Sequence, residues 1–482
     1  MFTRNLILSL NLVITLAVIA PREAKAGVFG EKPTWFSSLS DNDPWLSLPK
    51  NKQIGDSDFK FSTGGALRYR YINEVNRLRP PGAVRTDYNQ WRFTPNFDLS
   101  YKDKIKSRVT IINADTFGED VFPLPIDENR WDMLEAYVDA KVFSLENGDV
   151  RVRYGRQVLL YGVQRTVSPL GWANTFRNFE GIKGYYQGKD WNIDAFSVRP
   201  LNAAARGAAF KPDALDTPDQ SNLFTGVYLT KKEFQDVGSL DLYWLWSNER
   251  EQRLNRQDGN RHTFGARIYG KKQIMEGCTD DVARTWAWDL EGAMQFGNDM
   301  YTGSASDLDV YAGFFTADIN HTWNQATWKP MVKGLIYYGS GDTDPTDGKT
   351  STYYSMYPLG HAYWGLIDNF SGQNLIDYSL QASVKPSKKL TLLSAFHYYT
   401  KAQAEDAIYN IAGAGLGATG AAGEAAGEKI GTELDLLATY KMNKNLTLQM
   451  GYFWFWYGNA VQNGGLDRDD ATQFYFLANY TF

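Results

Sequence analysis

Cysteine, histidine and net positive charge are all scarce in this sequence, and each shortage excludes a class of protein. The 482 residues include one Cys and four His, so neither an internal disulfide framework nor a cysteine-based zinc site can form. The formal net charge is −5, whereas binding to nucleic acid depends on clustered Lys and Arg that neutralise phosphates. We therefore expect no nucleic-acid partner and no cysteine-bound metal.

Long apolar runs are the other absence. After residue 26, no stretch approaches the roughly 20 consecutive apolar residues that a membrane-spanning helix needs. Aromatic residues, however, make up 15% of the chain, including 29 Tyr, and there are 43 Gly. A chain that is rich in Tyr and Gly and has no helical span is typical of a transmembrane β-barrel.

The first 26 residues have the layout of a secretory signal peptide. Arg4 precedes an apolar run over residues 6–20, and residues 24–26 (Ala-Lys-Ala) supply small side chains for cleavage. A single membrane anchor is the alternative, but the run is shorter than a spanning helix. Residues 27–58 have no clear period, and we expect a periplasmic N-terminal segment there, either a lead-in or a plug.

Residues 59–482 predict the barrel itself, because apolar and polar residues alternate along them. Leu67, Tyr69 and Tyr71 alternate with Arg68 and Arg70. The same alternation recurs over residues 134–142, where it places Leu134 on the lipid side, and over residues 286–296 and 433–440. Such segments give eighteen candidate strands, an even number, as bacterial single-chain barrels have.

The connections between these strands support the same architecture. Connections after even-numbered strands are mostly short, as at residues 103–104 and 443–445, whereas those after odd-numbered strands are mostly long, as at 162–178, 341–373 and 402–430. Short periplasmic turns and long extracellular loops are the arrangement of outer-membrane barrels. The last strand ends at Phe482, which resembles the signal by which such barrels are recognised for insertion. We therefore expect an antiparallel barrel in the cell outer membrane.

Strand parity also predicts which charges face the lumen. The inward basic residues, mostly on early strands, are Arg68, Arg70, Arg92, Arg108, Arg151, Arg153, Lys183 and Arg267. The inward acidic residues, on later strands, are Asp289, Glu291, Asp309, Asp377, Glu433 and Asp435. We expect a water-filled channel, as barrels of this size have, with one basic and one acidic wall. The alternative is that these charges pair across the lumen and only keep it hydrated.

Residues 151–181 carry a recognisable motif. A strand that ends in Gly-Arg-Gln is followed by a loop with Gln-Arg, Pro-Leu, Trp and Asn-Thr, and then by Arg and Phe-x-Gly. The positions are Gly155, Arg156, Gln157, Gln164, Arg165, Pro169, Leu170, Trp172, Asn174, Thr175, Arg177, Phe179 and Gly181. This stretch resembles the signature of the alginate export family of outer-membrane barrels.

The resemblance implies a monomeric eighteen-stranded barrel that passes an anionic polysaccharide outward through an Arg-rich pore. On this sequence it implies a pore-lining role for Arg153, Arg156, Arg165 and Arg177. It also implies a periplasmic polysaccharide-secretion scaffold as a partner. The alternative is that the loop is a structural insert whose arginines cap backbone carbonyls.

The sequence therefore predicts an outer-membrane channel, surrounded by lipid and lipopolysaccharide, that conducts alginate or a similar polyuronate by passive diffusion. A general or carbohydrate-selective porin for small solutes is the main alternative. A barrel hydrolase is not expected, because no paired nucleophile and base stand out. No cofactor is expected, although Asp342, Asp344 and Asp347 resemble the start of a calcium loop and suit weak Ca²⁺ binding.

Overall fold

A computed structural model of the chain describes residues 48–78, 85–120, 123–202, 213–249, 256–276, 281–301, 307–344, 346–466 and 468–482. The predicted signal peptide, residues 1–26, lies outside the described residues, as do Cys278 and residues 27–47. Within residues 48–58, a two-residue strand, Lys52–Gln53, pairs with the start of the first barrel strand. The role of residues 27–58 therefore stays a prediction.

Eighteen long strands form the wall, and we number them in chain order. They are β1 (Phe59–Val75), β2 (Arg85–Tyr101), β3 (Ile105–Phe117), β4 (Asn129–Leu145), β5 (Gly148–Gln157), β6 (Phe179–Gly188), β7 (Trp191–Asn202), β8 (Asn222–Phe234), β9 (Gly238–Glu249), β10 (Arg256–Met275), β11 (Val282–Tyr301), β12 (Leu308–Trp323), β13 (Met331–Gly339), β14 (Leu375–Val384), β15 (Leu390–Thr400), β16 (Lys429–Lys441), β17 (Leu446–Tyr457) and β18 (Ala471–Thr481).

The wall closes on itself, so it has no free edge. Each strand pairs antiparallel with its neighbour in the chain, and β18 pairs with β1 with Tyr480 opposite Leu67. The remaining short elements are the strands Thr217–Pro218, Lys349–Thr350, Ile408–Tyr409 and Gly415–Leu416, the 3₁₀ turn Gly360–Ala362, and the helices α1 (Gly420–Ala426) and α2 (Asn459–Gln462). No helix in the described ranges is long and apolar enough to cross a bilayer. The predicted closed eighteen-stranded barrel is confirmed.

The alternation of the wall is also confirmed, with one local exception. Leu67 and Tyr69 are 45% and 40% exposed on the outer face, whereas Arg68 and Arg70 are 4% and 3% exposed on the inner face. The prediction for Leu134 is wrong, because this side chain is buried in a small cluster with Ile112 and Ala114. A register shift between β3 and β4 lies at this position, and such a bulge turns the following side chain to the other face.

The two rims differ in loop length as predicted. Connections after even-numbered strands have two to seven residues, and those after odd-numbered strands have six to 35. The long loops 158–178 and 340–374 fold into the lumen and pair with each other: Ser168 N donates to Tyr357 O at 2.8 Å, and Tyr357 N donates to Thr166 O at 3.1 Å.

These inserted loops fill the barrel at their level with a hydrophobic core. Val167 and Trp364 from the loops belong to one buried cluster with Phe224 and Tyr399 from the wall. The expectation of a water-filled lumen is therefore wrong at this level. The inner faces of several strands are apolar because they pack against loop side chains instead of water.

Candidate functional site: the lumen and its inserted loops

The predicted basic residues at the start of the chain hold the tip of loop 158–178. Arg68 donates to Gly171 O, Trp172 O and Ala173 O at 3.1, 3.0 and 2.8 Å, and to Asn174 Oδ1 at 3.1 Å. Arg92 donates to Gly171 O at 3.1 Å and to Ala173 O at 2.8 Å.

Arg70 completes this set on the next inward position of β1. Its Nη1 donates to Trp172 O at 2.9 Å, and its Nε donates to Gln90 Oε1 at 3.0 Å. We call Arg68, Arg70 and Arg92 together with residues 171–174 the clamp. Parity placed all three arginines on the inner face, but their partners are main-chain carbonyls and amide oxygens of the protein.

Two loop side chains fix the clamp in place. Asn174 is fully buried, and its Nδ2 donates to Trp91 O, Asp115 O and Asp127 O at 3.2, 3.1 and 2.9 Å. The Arg70 guanidinium lies over the Trp172 ring, with its Cζ 4.3 Å from the ring centroid. The indole Nε1 donates to Asp368 Oδ2 at 2.6 Å, so Trp172 also contacts loop 340–374. Since Asn174 and Trp172 belong to the signature motif, the motif contained these anchors although their role was not predicted.

Arg165 anchors the other half of the same loop through carboxylates. Its Nη1 lies 2.8 Å from both Asp289 Oδ1 and Glu291 Oε2, and its Nη2 lies 3.2 Å from Asp318 Oδ2. Arg267 shares Asp289 at 2.5 Å. Part of the acidic wall is therefore neutralised by a cation that the inserted loop supplies.

The acidic residues of β14 to β16 receive loop 340–374. Ile367 N donates to Glu433 Oε1 at 2.9 Å, and Leu366 N donates to Asp435 Oδ2 at 3.3 Å. Asp377 pairs with His397, with Nδ1 2.9 Å from Oδ2.

The prediction for Asp309 is wrong, because it is exposed on the outer face of β12. Its neighbours Val310, Ala312 and Phe314 occupy the inner face, and Phe314 packs against Tyr353 of loop 340–374 at 4.9 Å between ring centroids. The inward positions here are apolar because they cover an inserted loop.

The predicted basic residues of β3, β5 and β6 lie together near the periplasmic rim, and carboxylates accompany them. Arg108 Nε donates to Asp98 at 2.6 Å, Arg151 and Arg153 donate to Asp139 at 2.6 and 3.1 Å, and Lys183 lies 3.4 Å from Asp194. The early wall is therefore mixed in charge. Asp98, Asp139 and Asp194 were not predicted as lumen residues, although Asp98 lies opposite Arg108 and Asp139 opposite Arg153 in neighbouring strands.

Arg153 has the fewest hydrogen bonds of the arginines in this group. Its guanidinium lies 4.0 Å from the Tyr137 ring centroid, and only its Nε is hydrogen-bonded, to Asp139. Among the described residues, neither Nη nitrogen of Arg153 has a hydrogen-bond partner. Both remain available to a ligand.

Two motif arginines lie away from this group. Arg156 lies at the extracellular end of β5, where it donates to Asp132 Oδ1 at 3.1 Å and to Asp216 O at 2.9 Å. Arg177 donates to Ser168 O and Pro358 O, both at 3.3 Å. Both thus bind loop carbonyls, as in the alternative that treats this loop as a structural insert.

The acidic loop near residue 342 is organised by a carboxylate from another loop. Asp342 N donates to Asp406 Oδ2 at 3.0 Å, and burial raises the pKa of both carboxyl groups. Across the part of the chain that the structure describes, no group of three or more His, Cys, Asp or Glu side chains is placed to hold a metal ion.

Comparison with known protein families shows to which family the chain belongs. Residues 59–474 match the profile of a family described as alginate export. The chain belongs to the alginate export family. No curated protein matches the sequence. The family and the fold identify an outer-membrane β-barrel of the porin type, a transport channel.

Solved structures with the same fold are outer-membrane proteins. OprE (OccK8) of Pseudomonas aeruginosa is 15% identical, with a TM-score of 0.53 over 88% of this chain and 98% of that one. OpdK of the same organism, solved with vanillate, is 10% identical, with a TM-score of 0.55 over 87% and 98%. OccAB1 of Acinetobacter baumannii is 12% identical, with a TM-score of 0.56 over 88% and 96%. At these identities the likeness concerns the fold alone.

In this member of the alginate export family, the signature stretch is the segment that crosses the lumen. Its Arg165 meets the wall carboxylates, its residues 171–174 meet the wall arginines, and its Arg177 joins it to loop 340–374. The motif thus codes for an inserted loop with two differently charged attachments.

Proposed function

We propose that this channel passes an anionic polysaccharide, alginate or a similar polyuronate, across the outer membrane by passive diffusion along its inward arginines. The observation that carries the proposal is the series of inward guanidinium groups, from Arg153 near the periplasmic rim to Arg92 and Arg68 at the inserted loop. Arginine stays charged at any relevant pH and binds carboxylates through paired hydrogen bonds. A uronate polymer offers one carboxylate per sugar, so it suits a repeated series of cations.

The mixed charge of the early wall fits conduction. Asp98 and Asp139 each lie against an arginine and weaken its hold on a passing anion. Conduction needs binding that is strong enough for entrance and weak enough for release. The direction of transport would follow from synthesis on the periplasmic side. We further propose that the barrel works as a monomer, with a periplasmic secretion scaffold as its partner.

A small-solute porin is the second candidate, and one observation favours it. Loops 158–178 and 340–374 bury large side chains such as Trp364 and Tyr357 in the lumen, so a folded loop leaves little width for a polymer. OpdK, which shares the fold, was solved with vanillate. A small solute would pass without displacing the loops.

A barrel hydrolase is poorly supported. In the paired strands that the structure describes, one serine lies opposite a histidine. Ser379 lies opposite His397 on the inner face, but among the described contacts its hydroxyl has no hydrogen-bond partner. The Nε2 of His397 instead faces Asp435 at 4.0 Å. A serine nucleophile requires that its hydroxyl be bonded to the base.

Single-channel conductance in planar bilayers tests the two channel candidates. We expect anion selectivity and reversible block by a mannuronate trimer, but no block by the neutral maltotriose. Arg153→Glu should abolish the block, since it replaces a cation whose two Nη nitrogens have no hydrogen-bond partner among the described residues by an anion. A weakly selective pore that both trimers block equally, or that neither blocks, would reject polyuronate transport and leave the small-solute porin.

A further inference from the structure

The three arginines of the clamp are buried, and among the described residues no carboxylate is hydrogen-bonded to them, although Asp127 and Asp368 act on Arg70 from beyond ion-pair distance. Arg68, Arg70 and Arg92 are 4%, 3% and 4% exposed. Among the described residues, every hydrogen-bond acceptor of their guanidinium groups is a neutral oxygen of a main-chain carbonyl or an amide side chain, and the Nε of Arg68 has no acceptor. Buried charges in proteins are normally paired, so the clamp lacks an anion that its chemistry favours.

The clamp also decides where loop 158–178 lies. Its carbonyls from Gly171 to Ala173 converge on Arg68 and Arg92. The same loop pairs through Val167 with Tyr357 of loop 340–374. Release of residues 171–174 would therefore loosen the contact that keeps both loops across the lumen.

The wall on the periplasmic side of the clamp is less closely packed than the clamp itself. Below Arg92 on β2, the inward residues Asn96, Asp98 and Ser100 are only half-buried. Arg108 borders the same space, with its side chain 16% exposed. An anion that moves up this wall meets Arg108 before it meets the clamp.

We propose that the clamp is a latch that the anionic cargo itself opens. This inference rests on the proposed function and adds its regulation: a carboxylate of the cargo takes the place of the loop carbonyls on Arg68 and Arg92, and residues 171–174 leave the wall. A carboxylate can bind a guanidinium through two parallel hydrogen bonds between opposite charges, whereas a carbonyl oxygen accepts as a neutral group. The carboxylate also neutralises the repulsion among three buried cations. A neutral sugar supplies neither effect, so it leaves the latch closed.

Conductance of the full-length channel, with and without a mannuronate trimer, tests the latch. In the wild type we expect a mostly closed channel whose mean conductance rises about tenfold with the trimer, within the usual range of coupling between a ligand and a conformational change, although the trimer also blocks each open channel briefly. Maltotriose should leave the mean conductance unchanged. Arg68→Gln combined with Arg92→Gln should give a high basal conductance that the trimer no longer raises.

Arg284→Gln is the matched control. Arg284 pairs with Glu276 and its side chain is 47% exposed, so it lies apart from the lumen loops. This variant should keep both the low basal conductance and the response. The latch is overturned if the folded double variant, identified by its heat-modifiable migration, behaves as the wild type does.

A disulfide tests the same latch if the double variant fails to fold. Val167→Cys and Tyr357→Cys, with Cys278→Ser, join the two loops at their bridge. The oxidised channel should stay closed in the presence of the trimer, and reduction should restore opening. Equal opening of the oxidised and reduced channels would overturn the latch.

Failure of the proposed function would look different from failure of the latch. If glucuronate opens the wild type but the trimer does not pass, the latch stands and the cargo is a small carboxylate. If the trimer passes the wild type and both substituted channels alike, polyuronate transport stands and the latch is wrong.

Discussion

The two attachments of loop 158–178 bind it through opposite chemistry. At Arg165 the loop supplies the cation, and three wall carboxylates receive it. At the clamp the wall supplies the cations, and main-chain carbonyls of the loop receive them. The first attachment consists of ion pairs, whereas the second, among the described residues, has no carboxylate bonded to its cations.

This difference gives the two attachments different responses to an anion. A carboxylate that approaches Arg165 is repelled by Asp289, Glu291 and Asp318, which already surround the guanidinium. A carboxylate that approaches Arg92 meets no such repulsion and displaces only neutral acceptors. The Arg165 attachment therefore acts as a fixed point, and the clamp as the end that an anion frees.

The largest effect is expected from Arg165→Met. Among the described residues, removal of this cation leaves the buried carboxylate of Glu291 without an ion-pair partner and leaves Asp318 with Lys333 alone, at 3.5 Å. Breaking a buried ion pair costs about 3–5 kcal/mol. The free energy of unfolding, measured with urea in detergent micelles, should fall by that amount. Arg284→Met removes an exposed ion pair and should change it by less than about 1 kcal/mol. Equal losses in both variants would show that Arg165 is no fixed point.

A smaller effect is expected from Asn174→Ala. Three carbonyls and the Arg68 guanidinium lose a partner inside the barrel, and each buried group left unsatisfied costs about 1–3 kcal/mol. Since water reaches these groups once the loop loosens, we expect the free energy of unfolding to fall by about 1–3 kcal/mol. The basal conductance should rise. Asn463→Ala, at an exposed position after α2, should be neutral in both measurements. A stable variant with unchanged conductance would remove Asn174 from the anchor.

The barrel was predictable from local pattern, because each wall residue obeys the two-residue period of its own strand. The eighteen strands, the inequality of the rims and the inward position of Arg68, Arg70 and Arg92 all follow from that period. Strand ends were less predictable. The loop predicted at 162–178 begins at residue 158, because β5 ends at Gln157 and the apolar Leu159 and Tyr161 are already part of the inserted loop and are buried in its core.

The partners of the inward charges could not be predicted, because they depend on contacts between distant parts of the chain. Arg68 meets residues that follow it by more than a hundred positions, and nothing in either stretch indicates that the loop folds inward. The errors at Asp309 and Leu134 have the same kind of origin. An inserted loop makes the inner face of β12 apolar, and a bulge between β3 and β4 turns one side chain around.

Asp406 offers a second example of a buried ionisable group with neutral hydrogen-bond partners, like the clamp arginines. Its carboxylate accepts from Asp342 N at 3.0 Å and from Thr352 Oγ1 at 2.6 Å. Unlike arginine, it can neutralise itself, and burial raises its pKa above the usual value. A raised folded pKa stabilises the fold at low pH, and this contribution is lost as pH rises from the usual carboxyl range through the raised value.

The unfolding free energy of the wild type relative to Asp406→Asn, followed over pH, measures that contribution. We expect the difference to fall as pH rises. Asp342 and Lys401, which lie beside Asp406, stay in both proteins. A difference that grows with pH would mean that Asp406 is held as a charged group, as the Arg165 carboxylates are.

The smallest effect is expected from Arg92→Met, and it decides the comparison most directly. Gly171 O and Ala173 O, which lose Arg92, both keep a bond from Arg68, and only the long 3.4 Å bond to Asn174 O is lost without replacement. The methionine can keep the contact that the guanidinium makes with the Phe176 ring at 4.3 Å, and removal of one of three buried like charges relieves repulsion. The free energy of unfolding should therefore stay within about 1 kcal/mol of the wild type, at low and at high salt. If Arg92→Met destabilises the barrel as much as Arg165→Met does, the two attachments are equivalent, and an anion has no reason to free one before the other.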